Sequence, residues 1–395
     1  MTLRLLTAVA AAFALALATP AAAKLTAPEQ AMIRTVDAEQ QRTVAMLEKW
    51  VNQNSGTLNL AGVKTVGDML RAELEPLGFK VEWIDMAAAN RAGHIVARHN
   101  GNGRGKRMLL IGHLDTVFEK DSPFQRWVLR GTEAQGPGAD DDKGGMAVIV
   151  AALRAMRDAG TLKAADITVF LTGDEEDSGP VGMSRRDLIA AGQWADVALD
   201  FEGLVQADGL DMGSTARRSS DEWTVTVTAR SGHSSGIFTP GSGSGAIYEL
   251  ARIIDTFRRE VPEDKLTFNV GLVGGGATAE LDPGKIRIAA TGKTNIIAGT
   301  AVARGDLRAI SPDQIARAKA KMSTIVAMPL AGAKADIVFA PDGYPPMAPT
   351  EGNRALLARL NLVSRDMGLA TMGELDPVKR GAGDISFVAA DVDSL

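Results

Sequence analysis

The sequence predicts an α/β fold built on a mostly parallel sheet, with a smaller α+β insert. Near-continuous apolar runs at 107–112, 166–171 and 197–201 are typical of buried strands in a parallel sheet. Helical patterns alternate with these runs, which favours an α/β layout. After Gly213 the pattern changes to strict alternation of polar and apolar residues, which indicates a second structural unit. A chain of 395 residues is also longer than one hydrophobic core usually serves.

The elements of the first unit follow in order along the chain. Apolar residues at helical spacing predict amphipathic helices at 28–50 and 65–77, and small and branched apolar residues predict a third at 145–159. Strand patterns at 79–84 and 94–98 precede the buried strands. From about Pro345 we expect the chain to rejoin this unit.

The insert is predicted to be a compact α+β unit of its own. Its strands are expected at 222–230, 266–273, 285–290 and 301–308, and its helices at 245–260 and 311–327.

The first 23 residues have the pattern of a signal peptide. Arg4 supplies the positive end, residues 5–19 are apolar, and Pro20-Ala21-Ala22-Ala23 offers a cleavage site. The alternative is an uncleaved membrane anchor, for which the apolar stretch is short. We expect a mature chain that starts near Lys24, is periplasmic or secreted, and has no membrane association after cleavage.

Composition narrows the classes of partner and of site. The formal net charge of -5 comes with basic residues spread along the chain, so nucleic acid is not an expected partner. A small soluble substrate fits better. Cysteine is absent, which excludes disulfides, thiolate metal sites and a cysteine nucleophile. Any metal must be held by His, Asp and Glu.

Four short segments carry candidate ligands, and each lies just past the C-terminal end of a predicted parallel strand. They are His113-Leu114-Asp115, Asp140-Asp141-Asp142, Asp174-Glu175-Glu176-Asp177 and Asp200-Phe201-Glu202. The carboxyl ends of parallel strands are where open α/β sheets place their sites. An imidazole with several carboxylates suits zinc-like divalent ions, and a further carboxylate can serve as general base. The pattern therefore predicts a two-metal hydrolase site.

Each motif also has a structural interpretation. A lone His113 could be a core histidine, but Asp115 can accept its ring N–H and orient it as a ligand. The aspartate triplet could be a solvated turn, yet glycines on both sides of it build a tight loop into a helix. Adjacent Glu175 and Glu176 diverge, so one can bind metal while the other addresses water. Glu202 alone could equally be a surface carboxylate.

Together these motifs resemble the acetylornithine deacetylase, succinyl-diaminopimelate desuccinylase and carboxypeptidase G family of co-catalytic zinc hydrolases. The resemblance runs from about residue 30 to the last residue. It implies two zinc ions per subunit, a cis peptide bond between Asp141 and Asp142, and a role for each motif residue. Asp141 would bridge the ions, His113 and Glu202 would complete one site, Glu176 would bind the other ion, and Glu175 would be the general base.

The resemblance also implies that the insert is a lid that pairs two chains into a homodimer. His233 would reach the partner's active site and polarise the scissile carbonyl, while Asn295 and Arg308 would hold a substrate carboxylate. Without the resemblance, these are a loop histidine, a turn asparagine and a surface arginine. The expected organisation is a signal peptide at 1–23, a catalytic domain at 24–214 and 343–395, and a lid at 215–342.

The chain departs from the family pattern in two places. Glutamate-specific relatives have a further arginine just after the lid, where this chain has the segment around Tyr344, and this weakens a strict glutamate preference. The family also has a metal-binding histidine near its C-terminus, which this sequence lacks up to Leu395. One zinc would then be held well through His113, Asp141 and Glu202, and we expect the sequence to be truncated.

Three functions follow as expectations. The first is a glutamate carboxypeptidase-like exopeptidase that cleaves a peptide or amide bond beside a free carboxylate. The second is an N-acyl-amino-acid deacylase that uses the same machinery. The third, from another class, is an inactive metal-dependent binding protein, which is favoured if the chain naturally ends at Leu395.

Overall fold

The computed structural model describes residues 25–395. The predicted signal peptide at 1–23 lies outside the described residues. Within 25–395, no helix combines the length and apolar character needed to cross a bilayer.

The first part of the chain forms helices and strands in alternation. The helices are α1 (Ala27–Val51), α2 (Leu60–Leu74), α3 (Lys143–Asp158), α4 (Val181–Ser184) and α5 (Arg186–Trp194). The strands are β1 (Lys80–Asp85), β2 (Gly93–His99), β3 (Arg107–His113), β4 (Val128–Arg130), β5 (Glu133–Gln135), β6 (Asp166–Thr172), β7 (Val197–Asp200), β8 (Val205–Ala207) and β9 (Leu210–Gly213).

Five of these strands form the central sheet, in the order β1-β2-β6-β3-β7. Strand β3 lies between β6 and β7 and is parallel to both, whereas β2 is antiparallel to its two neighbours, β6 and the edge strand β1. The carboxyl ends of β3, β6 and β7 therefore meet at one edge of the sheet. The predicted α/β fold with a mostly parallel sheet is confirmed.

The apolar runs are buried because both faces of the sheet are covered. Leu110 and Val169 face a core shared with α2 and α3, while Leu109 and Ile111 face a second core that includes Leu188 of α5. Successive residues of a strand point to opposite faces, so a strand covered on both sides needs apolar residues throughout. Each fully buried leucine or isoleucine stabilises the fold by about 1.5–3 kcal/mol.

The insert contains strands β10 (Asp221–Ala229), β11 (Gly232–His233), β12 (Thr267–Gly276), β13 (Thr278–Leu281), β14 (Ile288–Thr291), β15 (Ile296–Ile297), β16 (Thr300–Arg308) and β17 (Ala333–Phe339), with helices α6 (Ala246–Glu260) and α7 (Pro312–Val326). Four strands form an antiparallel sheet in the order β12-β16-β10-β17. Trp223, Val225 and Val227 alternate along β10 and are buried in a core with residues of α6 and α7. This core shares no residue with the two cores of the main sheet.

Two backbone connections join the insert to the main domain. Arg217 pairs with Met347, and Ser220 pairs with Tyr344, in short antiparallel bridges. After them come α8 (Glu351–Asp366) and β18 (Gly373–Glu374), and β18 pairs with β9. Further along, Ser394 forms a parallel bridge with Ala198 of β7.

Several element boundaries differ from the predictions for local reasons. Helix α2 begins at Leu60 instead of residue 65 because the Asn59 side chain accepts the Gly62 N–H and caps the first turn. Strand β14 begins at Ile288 instead of residue 285 because Asp282 accepts the N–H groups of Ile286 and Arg287 in a turn. The predictions missed β17, whose covered face carries two alanines, and α8, which buries only Asn353 and Leu357.

Candidate metal centre

The candidate metal centre is assembled at the carboxyl edge of the parallel strands. His113 is the last residue of β3, Glu175 and Glu176 follow β6, and Glu202 follows β7. Asp141 comes from the loop that leads into α3. Because β3 is hydrogen-bonded to both β6 and β7, these loops are neighbours in space although the chain separates them.

His113 is buried and held from both sides of its ring. Its Nε2 lies 2.8 Å from Asp141 Oδ1, and its Nδ1 lies 3.1 Å from the Asp115 backbone oxygen and 3.3 Å from Asp115 Oδ1. Burial opposes a charge on the ring, but the two aspartates outweigh it and raise the pKa of His113 well above its usual value. The ring is therefore oriented with Nε2 towards Asp141.

The aspartate triplet lies in a loop whose last residue, Asp142, is buried, while Asp140 and Asp141 are exposed. The peptide bond between Asp141 and Asp142 is cis, as the family resemblance implied. Asp142 is buried and accepts the His113 backbone N–H at 2.9 Å. The first turn of α3 packs closely against the segment that follows β7. Only glycine fits at position 145, because a β-carbon there would lie 1.8 Å from the Phe201 carbonyl oxygen.

Asp115 organises the loop that carries the two glutamates. Its Oδ1 accepts the Glu175 N–H at 3.1 Å, and its Oδ2 accepts the Glu176 N–H at 3.2 Å and the Thr57 hydroxyl at 2.6 Å. The carboxylate thus fixes the backbone of the glutamate loop as well as the histidine ring. The sequence motifs predict its contact with His113 but not its contacts with the loop.

His113, Asp141 and Glu176 form a group that could hold a metal ion. One ligand atom from each lies within 4.8 Å of the others. An imidazole nitrogen with two carboxylate oxygens is a donor set that zinc uses at catalytic sites, so these residues fit a divalent ion. Burial raises the pKa of Glu176 to about 7, as expected for a carboxylate gathered with other acidic groups.

Glu202 lines the same cavity but is held differently from the predicted ligand arrangement. Its Oε2 accepts hydrogen bonds from Arg217 at 2.6 Å and from Arg380 at 3.0 Å. The two guanidinium groups compensate for the burial of this carboxylate. The structure therefore groups Glu176, and not Glu202, with His113 and Asp141, and the role of Glu202 as a ligand stays a prediction.

The cavity at this edge has a volume of about 350 Å³ and combines carboxylates with cationic groups. Its lining includes Glu175, Glu176, Arg217 and Arg380. Burial also raises the pKa of Glu175 well above its usual value, which suits a group that takes and returns a proton. Neither arginine was predicted from the sequence, because no local pattern marks an arginine that pairs with a distant glutamate.

The three candidate site residues of the insert occupy two separate places. His233 is exposed, and its Nδ1 lies 2.8 Å from Ser235 Oγ. Asn295 is its neighbour, since the Ser234 N–H donates to the Asn295 carbonyl oxygen. Arg308 instead lies close to Gly381 of the main domain. Its Nη1 is 3.9 Å from the position that a β-carbon on Gly381 would occupy. Over residues 25–395, no hydrogen bond joins the His233 side chain to the metal-centre residues.

Comparison with known proteins identifies relatives of this chain. A model of Peptidase family M20/M25/M40 matches residues 109–395. The chain is 33% identical over 252 residues to carboxypeptidase G2 of Pseudomonas sp. (strain RS-16), covering 62% of this chain and 58% of that protein. It is 27% identical over 201 residues to a succinyl-diaminopimelate desuccinylase of Leptothrix cholodnii, covering 48% and 51% respectively. The chain thus spans between half and three fifths of the length of these relatives.

A solved structure extends the comparison to the fold. A dinuclear metal-binding peptidase of the M20 family from Bacillus subtilis superposes with a TM-score of 0.59 at 14% identity. The alignment covers 91% of this chain and 88% of that one. At this identity the likeness supports the fold, which includes both the main domain and the insert.

Proposed function

Because the chain belongs to Peptidase family M20/M25/M40, as its motifs predicted, we propose that it is a metal-dependent hydrolase. Its proposed reaction is cleavage of a peptide or amide bond adjacent to a free carboxylate. The observation that carries the proposal is the convergence of His113, Asp141 and Glu176, with Glu175 beside them on a loop held by Asp115.

The proposed metal is zinc, held by His113, Asp141 and Glu176, with Glu202 as a further ligand of a two-ion centre. When bound, zinc would lower the pKa of a water molecule and polarise the substrate carbonyl. The donor set supports this choice, since it offers nitrogen and oxygen but no thiolate.

Glu175 is the proposed general base. Its pKa is raised by burial, so it can take a proton from the attacking water and return it to the departing amine. Its neighbour Glu176 is directed to the metal group, and the divergence of adjacent side chains separates the two roles. Asp115 keeps both backbone N–H groups in place and is a positioning residue in this scheme.

The lid is proposed to complete the site from a second copy of the chain. His233 is exposed, which supports its proposed role of stabilising the oxyanion in the partner's active site. Asn295 beside it and Arg308 near Gly381 are the proposed ligands of a substrate carboxylate. A homodimer through the lid is part of this proposal, as is a periplasmic or secreted location.

The second candidate is N-acyl-amino-acid deacylation. Two observations favour it: the desuccinylase among the relatives, and the segment around Tyr344 where glutamate-specific relatives have a further arginine. Peptide and acyl-amino-acid substrates share an amide bond beside a carboxylate, so the same residues serve both.

A substrate panel with metal analysis tests these proposals. Purified protein would be loaded with zinc and assayed on dipeptides with C-terminal glutamate, on other dipeptides and on N-acyl amino acids. Preferential hydrolysis of the first group supports the carboxypeptidase, and preferential hydrolysis of the last supports the deacylase. Bound zinc without hydrolysis of any substrate would refute both and favour a metal-dependent binding protein.

A further inference from the structure

Tyr344 lies where the chain returns from the lid to the main domain. Its backbone forms two hydrogen bonds with Ser220 on the outgoing connection, each with an N to O distance of 3.0 Å. Its ring packs against Phe387 with centroids 4.8 Å apart. Its hydroxyl reaches the glutamate loop and donates to the Glu175 carbonyl oxygen at 2.9 Å. One residue thus contacts both the lid connection and the backbone of the proposed base.

The direction of the hydroxyl hydrogen bond is determined by its two partners. Arg185 Nη2 donates to the Tyr344 oxygen at 2.8 Å, and a guanidinium group can only donate. The Glu175 carbonyl oxygen can only accept, so the hydroxyl proton must point to it. Burial raises the pKa of Tyr344, which keeps this proton in place. Tyr344 is therefore a fixed donor to the glutamate loop.

The arginine behind Tyr344 is itself held in a buried network. Arg185 Nε donates to Asp384 at 2.7 Å, and Arg185 Nη1 donates to Asp174 at 2.5 Å. Both carboxylates and the guanidinium group are buried. Every N–H group of the guanidinium has an acceptor, and such a buried network is rigid because each broken contact would leave a buried polar group uncompensated. The position of the Tyr344 hydroxyl is set by this network.

The bond to Glu175 acts on a peptide unit that is also held at its other end. The Glu175 carbonyl and the Glu176 N–H belong to the same planar peptide group. Tyr344 binds its oxygen, and Asp115 Oδ2 binds its N–H at 3.2 Å. Fixing both ends of the plane fixes its rotation, and this rotation sets the directions in which the two glutamate side chains leave the backbone.

We propose that Tyr344 is a positioning residue whose hydroxyl orients the peptide unit between Glu175 and Glu176. Through this unit it directs the proposed general base and the metal-binding carboxylate, and it joins both to the lid connection at Ser220. The part that concerns Glu175 rests on the proposed function. The part that concerns Glu176 rests only on the metal group of His113, Asp141 and Glu176.

Tyr344→Phe removes the hydroxyl and keeps the ring. The affinity for zinc, measured with a competing chelator, should fall about tenfold, as for other residues that orient metal ligands. The visible absorption of the cobalt-substituted protein reports ligand geometry and should change. Tyr248→Phe is the matched control, because Tyr248 is exposed on α6 and only its ring has a partner there, Phe238. Unchanged zinc affinity and cobalt absorption in Tyr344→Phe would overturn the proposal.

A second variant separates positioning from general stability. Phe387→Leu removes the ring that packs on Tyr344 but leaves the hydroxyl, so it should lower the thermal midpoint with little effect on zinc affinity. If Phe387→Leu weakens zinc binding as much as Tyr344→Phe does, the hydroxyl has no specific role and the proposal is wrong.

Turnover provides the test of the Glu175 part. With an active substrate from the panel, Tyr344→Phe should lower kcat about tenfold and leave KM nearly unchanged, because Tyr344 is not proposed to touch substrate. An unchanged kcat would overturn this part. If wild-type protein hydrolyses nothing, the proposed function fails, while the zinc and cobalt measurements still decide the role of Tyr344.

Discussion

Asp115→Asn is expected to weaken both the fold and the metal group. Asp115 is fully buried and accepts hydrogen bonds from the Thr57 hydroxyl, the Glu175 N–H and the Glu176 N–H. The asparagine amide has the same size but only one acceptor oxygen. If its NH2 replaces Oδ1, it faces the Glu175 N–H, and if it replaces Oδ2, it faces the Glu176 N–H. In either orientation one buried backbone donor loses its acceptor.

The magnitude follows from this loss. A buried unsatisfied donor costs about 1–3 kcal/mol, and the remaining hydrogen bonds lose the extra strength of a charged acceptor, about 1 kcal/mol. We expect the free energy of unfolding of the metal-free protein to fall by about 2–4 kcal/mol. Zinc affinity should fall about 10–100-fold, because Asp115 orients the His113 ring as well as the Glu176 backbone.

The assay is urea unfolding in the presence of a chelator, followed by zinc titration of the folded variant. Asp121→Asn is the control, since Asp121 is exposed and the same chemical change there should alter the unfolding free energy by less than about 0.5 kcal/mol. An Asp115→Asn protein that matches the control in stability and zinc affinity would refute the reasoning. Loss of stability with full zinc affinity would refute only the positioning role.

Three further predictions concern the proposed chemistry. Glu175→Gln should keep zinc bound but lower turnover by about 10²–10⁴, measured as kcat together with zinc content, and near-normal turnover would exclude Glu175 as the base. Because burial raises the pKa of Glu176 to about 7 and zinc binds the deprotonated carboxylate, zinc affinity should fall about tenfold or more per unit below about pH 7. A competitive titration that finds no such fall would contradict this. His233→Ala should lose turnover but keep zinc, and mixing it with Glu175→Gln should restore part of the activity, since one hybrid site would keep both groups. Mixed dimers without any recovered activity would show that His233 does not act on the partner.

Much of the fold could be predicted because burial leaves a direct trace in the sequence. Strands β3 and β6 are covered on both faces, so their apolar runs identify them without further information. Strand β10 of the insert has one covered face, so buried and exposed residues alternate along it. Strand β17 also alternates, but two of the four residues on its covered face are alanines, and α8 buries only Asn353 and Leu357, so both were missed.

The sequence by itself determined the family, and it predicted four metal ligands, three of which the structure brings within reach of one another. His113, Asp141 and Glu176 belong to motifs that end buried strands or begin a helix, so local patterns place each of them at the same edge of the sheet. The cis peptide bond at Asp141 followed from the family resemblance alone.

Only the tertiary structure decided how these residues are held. Glu202 is paired with Arg217 and Arg380, which are 15 and 178 residues away along the chain. Tyr344 reaches Glu175 across a separation of 169 residues. The physical reason is that such contacts depend on how separate elements pack, whereas the residues that make them are ordinary polar residues in their own local sequence. Their positions become fixed only when the lid connections, the glutamate loop and the second part of the main domain meet.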